Sequence, residues 1–455
     1  MVNENLKSFG YAAERLSGFY DADSEIKKSE IMNTADSLDI AGRVFYISES
    51  GNDDNDGRSF EKPWKTSYAI EKNFDKLRYG DTILFERGGI FRLKTRIRVK
   101  SGLSFGAYGI GAKPRLYGSV KNFASAELWG KTEYNDIWKL YFDYGDAGNI
   151  IFGNDEFIGI RKFDLGELAS DGDFFYNDDD KSLYLRCGIG NPGSIFNSIE
   201  IAHYGNLFFV QDGAQDIHFD NLCLKYGGSH GIGTWGHNKN ISVTNCELGF
   251  IGGSQQNPKK LPKLRYGNAI QFWTSAEDCI IENNWVHDVY DAGLTFQGDY
   301  EVANYKNLSF CNNLIEYCTY NFEFFDREPE SVINDVRVCN NIMRFSGYGW
   351  GNQRPDKWAT AHINGWSFFY KNLVSMYICN NVFDCADYNF VYWYWDNEKR
   401  LDNLTVLNNS YFQKQSGTNY SFRFQYEKQS IANDQAQFEK SVSLFDEKPR
   451  IVIYK

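Results

Sequence analysis

The chain has 455 residues, 42% of them hydrophobic, enough for a large core, and this excludes intrinsic disorder. Its 48 Lys+Arg against 60 Asp+Glu give a net charge of −12 with no basic cluster, so no nucleic-acid partner is expected. No run of about 18 apolar residues occurs, so no membrane span is expected either.

Residues 1–42 read as a polar, partly helical lead-in without assignable chemistry. They lack the basic stretch and following apolar stretch of an export signal, in this numbering. Residues 45–92 run FYISESGNDDNDGRSFEKPWKTSYAIEKNFDKLRYGDTILFERGGIFR. That is a strand, an Asn/Asp/Gly turn, a Pro-Trp-Lys-Thr segment leading into a capping helix, and a Gly-Asp-Thr strand. Residues 121–200 (IWKLYFDYGD, GDFFYNDDDKSLYLRCG) read as an antiparallel β insertion with a hairpin turn at 177–180.

A repeat follows. FDNLCL, VTNCEL, IENNWV, FCNNLI, VCNNIM, ICNNVF and VLNNSY align Asn221, Asn245, Asn283, Asn312, Asn340, Asn380 and Asn408, an average unit of about 31 residues. A short alternating strand precedes each Asn and another follows it. After a variable loop comes a third, aromatic-rich strand (AIQFW, GLTFQ, NFEFF, NFVYWYW, YSFRFQ). Three strands and no helix per unit predict an all-β, parallel β-helix over 43–425. Stacked at one bend, the asparagines would bond to each other and satisfy backbone groups left unpaired there. Nine cysteines without a C-x-x-C read as buried free thiols, and Cys311, Cys339 and Cys379 each precede an Asn-Asn pair. The tail, 426–455, is polar until RIVIYK, a final strand or simply the chain end.

With that opening segment and that repeat, residues 43–425 resemble the right-handed parallel β-helix proteins of the pectin-lyase-like superfamily, many of which act on polysaccharides. The resemblance implies a single-stranded right-handed parallel β-helix with an N-terminal capping helix and an antiparallel β insertion. It also implies a carbohydrate-active enzyme, with secreted or periplasmic residence. The superfamily hosts hydrolases, lyases, epimerases and binding proteins, so the reaction must come from the residues. GGSHGIG around His230 is similar to the Gly-His-Gly of its pectin hydrolases, but Ser229 stands first and the segment precedes the acids. No catalytic role is therefore carried to His230.

Side chains alternate in and out along a strand, and equivalent positions on adjacent coils lie about 4.8 Å apart. Ile270 and Phe272, Leu294 and Phe296, Phe322 and Phe324, and Phe390 and Tyr392 are expected inward. Outward, one column reads Gly233, Gln271, Thr295, Glu323, His362 or Asn364, Val391 and Ser421. The other reads Trp235, Trp273, Gln297, Phe325, Trp366, Trp393 and Arg423, a platform suited to sugar rings. Loops 250–267 and 346–361 are expected to wall an open cleft floored by Asp291, Glu323 and Asp326.

Glu323 and Asp291 are the expected catalytic pair, with Asp326 as third carboxylate, because glycoside cleavage needs one carboxyl protonated and one ionised. Arg265, Tyr266, Gln271, Trp273, Gln297, Trp350, Arg354, His362, Trp366 and Trp393 are expected to bind substrate. The leading expectation is a glycoside hydrolase on a complex polysaccharide, acidic ones included, acting as a monomer without cofactor or metal. The alternative is a polysaccharide lyase or uronate epimerase, with Arg265, Tyr266, Arg354 or His362 as base and Ca²⁺ on the floor acids. A second alternative is a non-catalytic glycan-binding module using the tryptophan column.

Overall fold

The computed structural model describes residues 9–13, 15–355, 359–366, 372–393, 403–414, 420–424, 431–432 and 435–454. Three ladders of parallel strands wind around one apolar core, coiling to the right as crossovers between parallel strands do. The ladder before the asparagines includes Gln215–Asp220, Asn304–Cys311, Val332–Cys339 and Met376–Cys379. The second includes Trp285–Val289, Leu314–Glu316, Ile342–Ser346 and Val382–Ala386. The third includes Ile232–Thr234, Ala292–Gly298, Tyr320–Asp326, Ala361–Gly365 and Asn389–Trp393. Pairing is in register, Leu294 on Phe322 and Phe322 on Ile363, so each inward apolar side chain stacks on its equivalent one coil away. Phe296 and Phe324 stack at 5.5 Å inside the coil.

The paired asparagines divide two tasks. The first of each pair holds a left-handed backbone, φ 60° at Asn312, 58° at Asn340 and 57° at Asn380. Asn tolerates that region better than other non-glycine residues. The second builds a buried amide ladder. Asn313 Oδ1 accepts from the Asn284 N–H, Asn341 Oδ1 from Asn313 and Asn381 Oδ1 from Asn341, and Asp446 closes the column at Asn409.

Ends and insertions complete the frame. Tyr68–Lys72 is the capping helix, and the Trp64 indole lies on Phe45 at 4.8 Å, sealing the first coil. The 435–445 helix buries Phe438, Val442 and Phe445, and Arg450–Tyr454 pairs in parallel with Ser410–Lys414 as a last rung. The ladder thus extends past residue 425. The insertion carries a five-stranded sheet and three strands of a four-stranded one completed by Tyr11–Ala12, mostly antiparallel, over a core of its own that includes Phe123, Phe152 and Phe174.

The lead-in is a strap that runs back across the coils before entering the first one. Tyr11–Ala12 pairs with the insertion, and the Phe19 and Tyr20 N–H groups donate to Asp384. Arg15 pairs with Asp288, Lys27 donates to Asn283, and Ser37 donates to Asp220. Among the described residues no helix is long and apolar enough to cross a membrane.

Candidate functional site

Glu323 projects outward from the middle of the third-ladder strand Tyr320–Asp326, between Phe322 and Phe324, which lie in the core. Thr295 sits one coil before it and Asn364 one coil after, in register. The column is not open to water: Glu323 is 4% exposed, and Thr295 and Asn364 are fully buried. The Trp366 indole hydrogen-bonds the Glu323 carboxyl.

A polar row reaches the carboxyl along the sheet. Asn268 Nδ2 donates to Gln271 Oε1 (3.5 Å), Gln271 Nε2 to Gln297 Oε1 (3.5 Å), and Gln297 Nε2 to Glu323 Oε2 (2.5 Å). Burial, followed by the charge of Asp291, pushes the Glu323 carboxyl well above the usual carboxylate range. Arg354 and the two hydrogen bonds pull the other way and are outweighed. Two buried oxygens in this column, Thr295 Oγ1 and Asn364 Oδ1, have no hydrogen-bond partner among the described residues. Buried polar atoms are seldom left so.

Asp291 occupies the turn just before Ala292–Gly298, one coil from Glu323. Arg354 Nη1 donates to Asp291 Oδ1 at 2.6 Å, with both side chains largely buried, which favours the carboxylate form. The structure therefore gives the two acids opposite characters, a neutral-leaning carboxyl and an ion-paired carboxylate. The Tyr320 ring lies 5.2 Å from the Arg354 guanidinium and was not foreseen; its place is one coil beyond Ala292, next to Asp291.

Beside this row stands an aromatic one. Trp235, 54% exposed, stacks on Trp273 at 6.2 Å with planes 23° apart, and Trp273 meets Phe325 edge-on at 6.3 Å. Trp366 continues outside, 5.2 Å from Tyr392. Tyr266 donates to Ser229 Oγ (2.9 Å) and lies 5.2 Å from the His230 ring. The His230 imidazole, driven down to about 3 by burial, accepts the Asn268 N–H.

Several expected site residues are structural instead. Trp350 is fully buried, its indole N–H donating to the Asp288 carbonyl, in a second core with Tyr290, Phe250 and Ile151. Arg265 donates to the Gly253 and Gly148 carbonyls and lies 4.4 Å over Tyr290; burial lowers its guanidinium to about 10. The two expected walls consequently meet, Arg265 donating to Gln353. Burial of large aromatic surface in loop-on-loop packing outweighs leaving it to water.

His362 points into the coil, bonded to Asn321 at 2.9 Å and lowered to about 3 by burial; Asn364 holds the outward place. Trp393 and Val391 lie in the core while Tyr392 faces out. On the preceding coil Ile363 lies opposite Val391, Asn364 opposite Tyr392 and Gly365 opposite Trp393, so this strand's faces follow those of Phe322, Glu323 and Phe324. Asp326 accepts from the core Tyr305 hydroxyl (3.1 Å) and the Glu328 N–H (2.8 Å), so it closes a turn and does not join Glu323. Ser421 and Arg423 carry side chains outside the described residues.

No protein-family model and no curated protein matches the chain. Solved structures that resemble it include a protein described as a glycoside hydrolase (10% identity, TM-score 0.43, 82% of this chain and 93% of that one). A rhamnogalacturonan lyase is similar at 12% identity and TM-score 0.43, covering 83% and 84%. A family 28 exopolygalacturonase of Yersinia enterocolitica matches at 12% and 0.43, covering 91% and 71%. At such values the chemistry rests on this chain's own residues. Among the described residues, no three His, Cys, Asp or Glu side chains come together as a metal-holding group.

Proposed function

We propose that this protein is a polysaccharide-active enzyme, and within that class a glycoside hydrolase, with Glu323 as general acid and Asp291 as second carboxylate. The observation that carries the reading is the outward, mid-strand Glu323 carboxyl, its pKa pushed up by burial and by Asp291 and its position set by Gln297 and Trp366. A carboxyl of that kind hands its proton to the departing glycosidic oxygen, while an ionised partner attacks the anomeric carbon or takes a proton from water. Arg354 ion-pairs Asp291, the partner for that second role. Trp235, Trp273 and Phe325 offer flat apolar faces to sugar rings beside the Glu323 row.

A lyase or epimerase must neutralise a uronate carboxylate. Arg265 is committed to backbone carbonyls and Arg354 to Asp291, which favours the hydrolase. The test is a panel of plant, algal and bacterial glycans, reading new reducing ends and the absorbance of unsaturated ends. Reducing ends without unsaturation, abolished in a folded Glu323→Gln variant, are expected. Near-normal turnover in that variant removes Glu323 from the mechanism, and unsaturated products assign the lyase class instead.

A further inference from the structure

A cleft of about 420 Å³ lies far from Glu323, where strap residues 37–41 cross the outer face of the first ladder. The strap is seated closely: a Cβ on Gly106 would fall 2.4 Å from Leu38 Cδ1. Below it Ser104, His218 and Ser242 stand in register on three successive coils. His218 Nδ1 and Ser242 Oγ are 2.8 Å apart, and the other ring nitrogen takes no protein partner among the described residues. At the rim, the Tyr79 hydroxyl donates to Asp216 Oδ2 (2.6 Å) and Asn240 Nδ2 to Asp216 Oδ1 (2.6 Å). The Tyr79 side chain is 66% exposed.

These features select a ligand by chemistry. Among the described residues the only charges lining the cleft are the carboxylates of Asp39 and Asp216, with no Lys or Arg, which disfavours phosphates and uronates. Burial lowers the His218 pKa, leaving a neutral ring able to donate and accept. Hydroxyl, amide, imidazole and carboxylate groups around one exposed aromatic ring form a set that binds vicinal hydroxyls while stacking on the C–H face of a pyranose. We propose that this cleft is a second carbohydrate site, taking a neutral mono- or disaccharide against Tyr79 with its hydroxyls on His218, Ser242 and Asp216. It lies on a different ladder from Glu323 and does not depend on the reaction proposed there.

Isothermal titration of the full chain with cellobiose, lactose and xylobiose tests it, with inorganic phosphate and a galacturonate dimer as anionic probes. At least one neutral disaccharide is expected to bind, with affinity weakened tenfold or more by Tyr79→Ala and by Ser242→Val. Trp273→Ala, in the other row, is expected to leave that binding in place. Unchanged urea midpoints establish that the variants fold. Absence of binding by all three sugars overturns the proposal, as does binding indifferent to both cleft substitutions, or tighter binding of either anion.

Discussion

Replacing Asn341 by Ala removes the middle of the amide ladder, and its cost can be counted bond by bond. Asn341 Oδ1 accepts from the Asn313 backbone N–H (2.9 Å) and from Asn313 Nδ2 (3.1 Å). Its own Nδ2 donates to the Phe310 carbonyl (2.8 Å) and to Asn381 Oδ1 (3.0 Å). Four hydrogen bonds are lost at about 1 kcal/mol each. The Asn313 N–H is left buried without a partner, while Asn313 Nδ2 retains the Ile281 and Cys311 carbonyls and Asn381 Oδ1 retains the Asn341 N–H. With that retention set against the orphaned donor, the loss is about 3–4 kcal/mol. Asn340→Gly, one residue earlier, is the control: the site is exposed, and φ 58° suits glycine, so the change is expected within about 0.5 kcal/mol. Urea unfolding followed by tryptophan fluorescence measures both. Equal midpoints for the two variants would refute the ladder as a source of stability.

Other outcomes follow from the same geometry. Because the Glu323 pKa is raised in the folded state, the folded protein keeps a proton that the unfolded chain sheds, so this residue costs stability as pH rises from the ordinary carboxyl range toward its folded pKa. The urea midpoint of Glu323→Gln relative to the parent should therefore climb between pH 4 and pH 8; a constant difference contradicts a raised pKa. Asp288 is the opposite case. Burial alone would raise it, but Arg15 and His287 bring it down to about 2, so its contribution is present above the ordinary carboxyl range and lost on acidification toward pH 2. Arg15→Met should make the protein unfold at a higher pH on acid titration, with about 1 kcal/mol lost at neutrality, since the Arg15 side chain is 46% exposed. Trp350→Ala should cost about 3–5 kcal/mol in urea while leaving kcat per folded molecule unchanged. A large kcat loss with normal stability would return the indole to the substrate site.

The coil itself was legible because a helical ladder repeats its chemistry. Asn-Asn pairs, inward Phe at alternate positions and a capping Trp64 recur or sit at places that backbone geometry dictates, and each can be recognised without knowing what it touches. Glu323 was legible for the same reason, as an acid at an outward mid-strand position between two core phenylalanines. Asp291 needed only the register. What each acid is like was not legible, since that depends on Arg354, Gln297 and Trp366, which approach from other coils.

Where the sequence reading departed, loop packing and the pairing of one strand intervened. Trp350 and Arg265 have the residue types of a sugar site, yet the 250–267 and 346–361 loops fold onto each other and use them as core. Pairing of Val391 with the inward Ile363 set Trp393 inward and Tyr392 outward. Periodicity along the chain thus determined the rungs and which acid each one presents, since neighbouring residues set strand alternation. Only the folded molecule decided which aromatic and cationic groups remain facing solvent, because that depends on contacts between segments about a hundred residues apart, whose energies no local pattern records.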